Sequence, residues 1–179
     1  MTLSAIILTR DEWNHGFLKE CIESAAPISD EIVIVDSSGR DSVLVDEFFH
    51  DERITCYVKK WKDQYSYTDS RNYGIDKATG DYVLNLDADE ILGEKKYLIK
   101  EKCREGNFDV CSLVGVHFIG DLSRVDATVD KHIWTNRLIA RALRYPANKM
   151  HGLPSGTSPT MIDTPLIFHL GYVKGMLSY

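Results

Sequence analysis

The sequence predicts an α/β domain in which a mostly parallel β-sheet has helices packed on both faces. Through the first half of the chain, short apolar runs rich in β-branched residues alternate with stretches whose apolar residues recur at helical spacing. That alternation is typical of βαβ units, whose parallel strands are covered by helices. With 179 residues, of which 44% are hydrophobic, the chain is long enough for one domain with a sizeable core.

The elements of the first half follow one another without a long gap. Strands are predicted at residues 3–8 (LSAIIL), 31–36 (EIVIVD), 54–58 (ITCYV) and 80–87 (GDYVLNLD). Helices are predicted between them at residues 16–25 (GFLKECIESA), 42–49 (SVLVDEFF) and 68–78 (TDSRNYGIDKA), with Asp41 as the N-cap of the second. Strand and helix therefore alternate up to residue 87, as a parallel sheet requires.

The pattern is looser in the second half. A helix is predicted at residues 95–103, a long strand at 108–119, another strand at 133–141 and a short last strand at 165–172. Residues 120–131 are polar and residues 151–165 are dense in Gly, Pro, Ser and Thr, so we predict a loop at each place. No repeat or linker divides the chain, and residues 1–179 are predicted to form a single domain.

Composition excludes several classes of partner. The chain has 27 acidic residues against 21 Lys and Arg, a net charge of −6, and no basic run, which argues against nucleic acid or an anionic membrane surface as a partner. The longest clean apolar run, residues 5–8, is far too short to span a bilayer, and nothing before it resembles a signal peptide. The four cysteines form no CxxC pair, so we expect reduced, buried thiols and a cytoplasmic protein.

The stretch YVLNLDADEIL (82–92) ends an apolar run with three acids, Asp87, Asp89 and Glu90. In extended backbone Asp87 and Asp89 project to the same side, and two convergent carboxylates suit a hard cation such as Mg²⁺ or Mn²⁺. An EF-hand is excluded, because Leu92 and Leu98 occupy the positions that need Gly and Glu. A solvated turn that caps the next helix is the competing interpretation, and D-x-D spacing alone does not decide between the two.

Other strand ends of the predicted sheet favour the metal interpretation. The first strand is followed by TRDE (9–12) and the second ends in DSSGRD (36–41), so Thr9, Arg10, Asp36 and Asp87 should line one rim. Hydrogen-bonding groups, a cation and carboxylates on one edge suit an anionic nucleotide. The chain has neither GxGxxG nor a GxxxxGK[ST] loop, so a metal that bridges the phosphates to the acids would replace a glycine cradle.

The order SAIILTRDE, EIVIVDSS, SRNYGIDKATGDYVLNLDADE resembles the nucleotide-sugar half of GT-A glycosyltransferases, whose fold is Rossmann-like. It is most similar to compact bacterial members of glycosyltransferase family 2, such as those that extend lipopolysaccharide cores. The resemblance covers residues 3–92 well and WTNRLIAR (134–141) and FHLGY (168–172) more thinly. It implies a nucleotide-sugar-binding half at residues 1–92 and a short acceptor-side half at residues 93–179.

The resemblance also implies roles for individual residues. The donor's base, ribose and phosphates would be bound by Thr9, Arg10, Glu12, Asp36, Arg71, Asp87 and Ala88. The metal, Mn²⁺ or Mg²⁺, would be held by Asp87, Asp89 and His169, and Asp89 would also serve catalysis. Asp36 resembles the acid that contacts uracil or ribose, which favours a UDP-sugar as the donor.

Each of these roles has a structural alternative. Arg71 could be a surface residue that pairs with Asp69 or Asp76, Asp36 could cap its own turn, and His169 could be an ordinary strand-end histidine. Trp134 and Arg137 form a family-like W-x-x-R-L element, but the tryptophan could be core and the arginine could pair with an acid. Trp61, Tyr65 and Tyr67 could stack on a sugar or simply pack on a loop.

The expected reaction is transfer of a sugar from a nucleoside diphosphate to a hydroxyl of a glycan or glycolipid, with inversion. Inversion needs a general base. The chain lacks the Glu-Asp pair of many relatives, and Gly152 stands where a His-Glu pair would put its acid; Asp121, Asp126 and Asp130 remain, and Asp126 is the assigned candidate.

Two other functions stay open, an inactive nucleotide-sugar-binding module and a sugar nucleotidyltransferase. The short acceptor half leaves room for one domain of a larger assembly or a homo-oligomer, and a glycolipid acceptor would bring the protein to a membrane periphery.

Overall fold

The computed structural model describes residues 1–10, 16–38, 50–60, 66–126, 132–146, 157 and 159–173. The strands are β1 (Leu3–Thr9), β2 (Glu31–Asp36), β3 (Ile54–Val58), β4 (Tyr82–Asp87), β5 (Glu90–Leu92), β6 (Val110–Ile119), β7 (Asp121–Val125), β8 (His132–Ala140) and β9 (Pro159–Tyr172). The helices are α1 (Leu18–Ala25), α2 (Ser66–Lys77) and α3 (Tyr97–Glu105), and a 3₁₀ turn at Glu94–Lys96 precedes α3.

The described strands form one sheet in the order β3-β2-β1-β4-β8-β6-β9-β5, with β7 paired to β6. β1 to β4 are mutually parallel, β8 runs antiparallel to β4 and β6, and β6 and β9 are parallel again. The predicted α/β architecture is therefore confirmed. The carboxyl ends of β1 and β4 lie side by side, since Leu8 pairs with Asp87 in the register.

Two hydrophobic clusters cover the two faces of the sheet. On one face the apolar side of α1, including Leu18 and Cys21, packs with residues such as Ile7 of β1. On the other face Ile75 of α2 packs with Ile6 and its neighbours. Helices on both faces are thus confirmed, and burial of these apolar side chains supplies the main stabilisation.

Gly74 in the middle of α2 has a packing reason. A Cβ at this position would lie 2.6 Å from Ile6 Cγ2, so only glycine lets the helix approach the sheet this closely. Because α2 carries Arg71 one turn and Tyr67 two turns before Gly74, this close packing also sets how deeply those side chains reach beneath the ends of β1 and β4.

Two loop predictions were wrong. The predicted loop at 120–131 contains β7, which pairs with β6 after a turn at Gly120 (φ +77°). The predicted loop at 151–165 gives way to strand at residue 159, so the last strand has 14 residues rather than eight. β7 is exposed at all five positions and none of residues 159–165 is fully buried, so neither segment carries the apolar alternation that identifies a half-buried strand.

β5 was not predicted, because three residues between a turn and a 3₁₀ helix carry little periodicity. The helix predicted at 42–49 and its cap Asp41 lie outside the described residues. In the ranges given above, no helix combines the length and the apolar character that crossing a bilayer needs.

Candidate active site

A cleft of about 240 Å³ opens at the carboxyl ends of β1 and β4. It is lined by Leu8, Thr9, Arg10, Tyr67, Asp87, Ala88, Asp89 and His169. The cleft forms there because β4 ends at Asp87 and the chain turns; the Ala88 N–H donates to the Leu8 carbonyl at 2.9 Å and fixes the turn against β1. The predicted rim residues Thr9, Arg10 and Asp87 are therefore neighbours.

Asp87 is held by three side chains from two other elements. Arg71 Nη2 of α2 lies 3.1 Å from Asp87 Oδ1, and Arg137 Nη2 of β8 lies 2.9 Å from Asp87 Oδ2. The Tyr67 hydroxyl donates to Asp87 Oδ1 and accepts from Arg71 Nη2. Burial acts to raise the pKa of Asp87, but the two arginines and the tyrosine outweigh it and hold that pKa well below its usual range.

Glu90 occupies the most buried position in the acidic stretch, with an exposed fraction of 0%. Its Oε1 lies 2.5 Å from Arg137 Nη2, and its Oε2 accepts the backbone N–H of Asp87 at 2.9 Å. Burial and the charge of Asp87 raise the pKa of Glu90, while Arg137 opposes the rise. Glu90 therefore holds the turn after β4 through the Asp87 N–H and Arg137, and it does not cap a helix.

Two arginines thus offset the clustered acids. The side chains of Arg71 and Arg137 are each only 1% exposed, whereas that of Asp87 is 23% exposed and reaches the cleft. Two guanidinium groups facing two carboxylates keep the local charge close to neutral, which is what burial of ionised groups requires. The positive charges of Arg71 on α2 and Arg137 on β8 therefore offset the repulsion between Asp87 and Glu90.

Asp89 faces the cleft with a different partner. His169 Nε2 of β9 lies 3.3 Å from Asp89 Oδ2, and the Leu170 N–H donates to the Asp89 carbonyl at 2.8 Å. Burial acts to lower the pKa of His169, but the hydrogen bond and the charge of Asp89 outweigh it and raise that pKa. Gly171 packs against both side chains: a Cβ there would lie 2.3 Å from Asp89 Oδ2 and 2.8 Å from His169 Cε1.

The Asp89–His169 pair has the chemistry of a partial metal site. One carboxylate oxygen and one imidazole nitrogen converge on the cleft wall, a donor set that Mn²⁺ accepts. Within the described ranges, no group of three His, Cys, Asp or Glu side chains is arranged to hold an ion. Such a pair suits a cation that takes its remaining ligands from water and from the oxygens of a bound diphosphate.

The expectation that Asp87 and Asp89 project together assumed extended backbone through residue 89. The strand instead ends at Asp87, and residues 88 and 89 form a turn. Both acids line the cleft, but Asp87 is bound to arginines and Asp89 to His169. Shared metal binding by this pair therefore stays a prediction.

Arg71 and Asp36 have well-defined structural contacts. Arg71 pairs with Asp87 rather than with Asp69 or Asp76, and it is not among the cleft-lining residues. Asp36 lies beside Thr9 in the register of β2 and β1, and its carboxylate accepts the Ser38 N–H at 2.8 Å and the Ser38 hydroxyl at 2.9 Å. Asp36 thus caps its own turn, as the structural alternative predicted. A contact between Asp36 and a nucleotide stays a prediction.

Of two further predicted residues, Asp126 lies away from the cleft lining and Glu12 falls outside the described residues. Asp126 follows β7, and its N–H donates to the His117 carbonyl of β6 at 3.0 Å. The catalytic role of Asp126 and the donor contact of Glu12 are therefore still predictions.

The structure connects three further residues to the cleft: sequence reasoning assigned no role to Glu90 or His117, and for Arg137 it offered pairing with an acid, which the structure confirms. Glu90 and Arg137 support Asp87, and His117 contacts His169, with 3.1 Å between their Nδ1 atoms. The sequence did carry a signal for Glu90, as the third acid of LDADE, and for Arg137, as part of the W-x-x-R-L element. No pattern marks His117, because only the pairing of β6 with β9 places it there.

Comparison with known proteins agrees with this geometry. The sequence model of the family described as Glycosyl transferase family 2 matches residues 4–159. An uncharacterized glycosyltransferase of Rickettsia bellii (strain RML369-C) is 28% identical over 93 residues, which are 52% of this chain and 29% of that protein. One from Rickettsia conorii (strain ATCC VR-613 / Malish 7) is 31% identical over 94 residues, 52% of this chain and 30% of that protein. The match thus spans less than a third of each relative.

Solved structures show the same fold. TarS 1-349 of S. aureus in complex with UDP-GlcNAc superimposes with a TM-score of 0.64 at 15% identity, covering 94% of this chain and 58% of that one. The longer S. aureus TarS chain gives a TM-score of 0.63 at 14% identity, covering 94% and 36%. At this identity the likeness concerns the fold alone, and it confirms the predicted GT-A architecture.

Proposed function

The chain belongs to glycosyltransferase family 2, and we propose that it forms the donor site of a metal-dependent transferase that moves a sugar from a UDP-sugar to a hydroxyl of a glycan or glycolipid. The observation that carries this proposal is the Asp89–His169 pair on the wall of a cleft beside the ends of β1 and β4. That edge of a parallel sheet is where α/β folds bind nucleotides.

Asp89 and His169 would hold the cation, Mn²⁺ or Mg²⁺. When bound, the cation would supply positive charge that stabilises the diphosphate as the bond to the sugar breaks. Asp87 would contact the donor from the side that reaches the cleft while Arg71 and Arg137 fix its carboxylate. Preorganised charge of this kind costs little reorganisation during the reaction.

Thr9 and Arg10 support binding of the nucleotide. Both line the cleft, and Asp36 lies in register with Thr9 on the neighbouring strand. The guanidinium of Arg10 suits a diphosphate, for which arginine offers paired N–H donors. UDP is the favoured nucleotide because a protein of the same fold, TarS, was solved with UDP-GlcNAc, and because Asp36 matches the family's uracil- or ribose-binding acid.

We propose an inverting transfer with Asp126 as general base. The acceptor oxygen would form a bond to the anomeric carbon as the bond from that carbon to the diphosphate breaks, and its proton would pass to the Asp126 carboxylate. The backbone hydrogen bond from Asp126 to His117 supports this choice, because His117 itself contacts His169. Binding also contributes by holding the acceptor oxygen close to the anomeric carbon.

Calorimetric titration of UDP-GlcNAc and other UDP-sugars, with Mn²⁺ and with EDTA, tests the donor site. Asp89→Ala is expected to weaken Mn²⁺-dependent binding about tenfold or more, as loss of one of two protein ligands implies. Asp109→Ala is the matched control, because this exposed aspartate precedes β6 and lies outside the cleft. Equal Mn²⁺-dependent binding by wild type and Asp89→Ala would disprove the metal site.

Turnover separates a transferase from an inactive binding module. An active transferase should release UDP when donor, metal and acceptor are all present, whereas a binding module gives saturable donor binding without release. Asp126→Asn is expected to lower kcat about 100-fold or more with little change in donor affinity, because a general base contributes at this scale. An unchanged kcat would remove Asp126 from the mechanism.

A further inference from the structure

We propose that His117 is a positioning residue that holds the ring of His169 in the tautomer and orientation required for metal binding. The inference rests on the proposed function, because it takes Asp89 and His169 as the protein ligands. His117 lies in β6, outside the set of residues that line the cleft. Its role would be exerted through His169.

The contact follows from the strand pairing. β6 and β9 run parallel, and His117 and His169 are direct partners in their register. Their Nδ1 atoms lie 3.1 Å apart, within hydrogen-bond distance, and their rings are tilted by 54° with centroids 4.5 Å apart. The two rings are therefore tilted against each other with their Nδ1 atoms facing at hydrogen-bond distance.

The positions of the ring protons explain why this contact matters. Two facing ring nitrogens form a hydrogen bond only when one carries a proton and the other presents a lone pair. A cation in the cleft needs the lone pair of His169 Nε2, the atom that faces Asp89. The proton of a neutral His169 ring must then reside on Nδ1 and be donated to His117 Nδ1. The same arrangement leaves the proton of His117 on its Nε2.

The hydrogen bond between the two histidines restrains the orientation of the His169 ring, which the backbone of β9 does not determine. The Leu170 N–H holds the Asp89 carbonyl, so strand β9 positions the backbones of both proposed ligands. The ring of His169 could still rotate about its side-chain bonds, and the hydrogen bond to His117 restrains it at Nδ1, opposite the Nε2 atom that faces Asp89. Histidine ligands in metal sites generally depend on such an acceptor at their second nitrogen.

The test compares four substitutions of His117 by the affinity of the protein for Mn²⁺ in the presence of UDP and without acceptor. His117→Asn and His117→Asp keep an oxygen on Cγ, where the histidine carries Nδ1, and should bind Mn²⁺ within about threefold of wild type or more tightly. His117→Leu removes the acceptor and His117→Gln moves it one bond farther, and both should weaken binding about 10- to 100-fold. Thermal melting in EDTA reports whether each variant is folded.

The outcomes separate this inference from the proposed function. If wild type does not bind Mn²⁺, the metal site itself is wrong and the role of His117 falls with it. If wild type binds and His117→Leu binds equally well, only the inference is overturned. If the leucine variant does not fold, the asparagine and glutamine variants decide: a packing role predicts that the larger glutamine is the better replacement, which would also overturn the inference.

Discussion

Glu90 and Arg137 form a buried ion pair, in which Glu90 Oε1 and Arg137 Nη2 are 2.5 Å apart and the side chains are 0% and 1% exposed. The same guanidinium nitrogen reaches Asp87 Oδ2 at 2.9 Å. One arginine on β8 therefore joins the end of β4 to the start of β5. The cleft depends on this junction, because Asp87 and Asp89 are presented by the turn between those two strands.

Arg137→Met should destabilise the protein strongly. The substitution removes the cation that the fully buried Glu90 shares with Asp87, and removing one partner of a buried ion pair costs about 3–5 kcal/mol. Urea unfolding would measure the loss. Arg144→Met is the matched control: Arg144 pairs with Asp76 at 2.7 Å on the surface, where an ion pair is worth at most about 1 kcal/mol. Equal losses for both variants would contradict the role assigned to Arg137.

Two of the strands that sequence predicted well, β1 and β2, are buried on both faces of the sheet. β1 and β2 are continuous apolar runs whose residues are almost all buried, so composition alone identifies them. β7 is exposed at all five positions, and its sequence carries no such signal. β7 forms because the chain reverses at Gly120 and pairs with β6.

The candidate site divides in the same way. Asp87 and Asp89 were identifiable because the motif is contiguous and follows an apolar strand. The contacts of Arg137 with Asp87 and of His117 with His169 were not, since Arg137 is 50 residues from Asp87 in sequence and His117 is 52 residues from His169. Only the order β4-β8-β6-β9 in the sheet brings these side chains to one place, and no local pattern encodes that order.

Tyr67→Phe should destabilise the protein by about 1 kcal/mol, because the lost hydroxyl serves both Arg71 and Asp87 while their direct ion pair remains. Tyr73→Phe on the same helix is the control, since Tyr73 is half-buried like Tyr67 and its ring contacts Tyr57 edge to face. Urea unfolding of the two variants measures the difference. A loss no greater for Tyr67→Phe than for Tyr73→Phe would show that the hydroxyl is dispensable.

Asp30 should make stability depend on pH. Its carboxylate accepts the Leu3 N–H at 2.9 Å and lies 3.3 Å from Lys100 Nζ. Burial acts to raise the pKa of Asp30, but these partners outweigh it and the pKa falls below its ordinary value of 3.8. A carboxylate with a depressed folded-state pKa stabilises the protein above the unfolded pKa, and that stabilisation is lost as the pH falls through the folded pKa.

Asp30→Asn should therefore lower the free energy of unfolding at pH 7 by at most about 1 kcal/mol, a small figure because the side chain is 42% exposed. The difference from wild type should shrink as the pH is lowered below 3.8, where the aspartate begins to protonate. Urea unfolding across this pH range measures it, with Asp109→Asn as an exposed control. A difference that grows toward low pH would have the wrong sign.

Gly171→Ala should weaken the metal site while leaving the fold intact. The added Cβ would lie 2.3 Å from Asp89 Oδ2, against 3.4 Å for ordinary contact, so the carboxylate must move by about 1 Å. The atoms displaced are the ends of the Asp89 and His169 side chains, so the melting temperature should fall by only a few degrees.

We expect about a tenfold loss of Mn²⁺ affinity in the presence of UDP, since a displacement of this size separates ligands from productive geometry. Met161→Ala, at an exposed position of the same strand, should bind Mn²⁺ as wild type does. Wild-type Mn²⁺ affinity in Gly171→Ala would mean that the cation does not use the Asp89 carboxylate in the position found here.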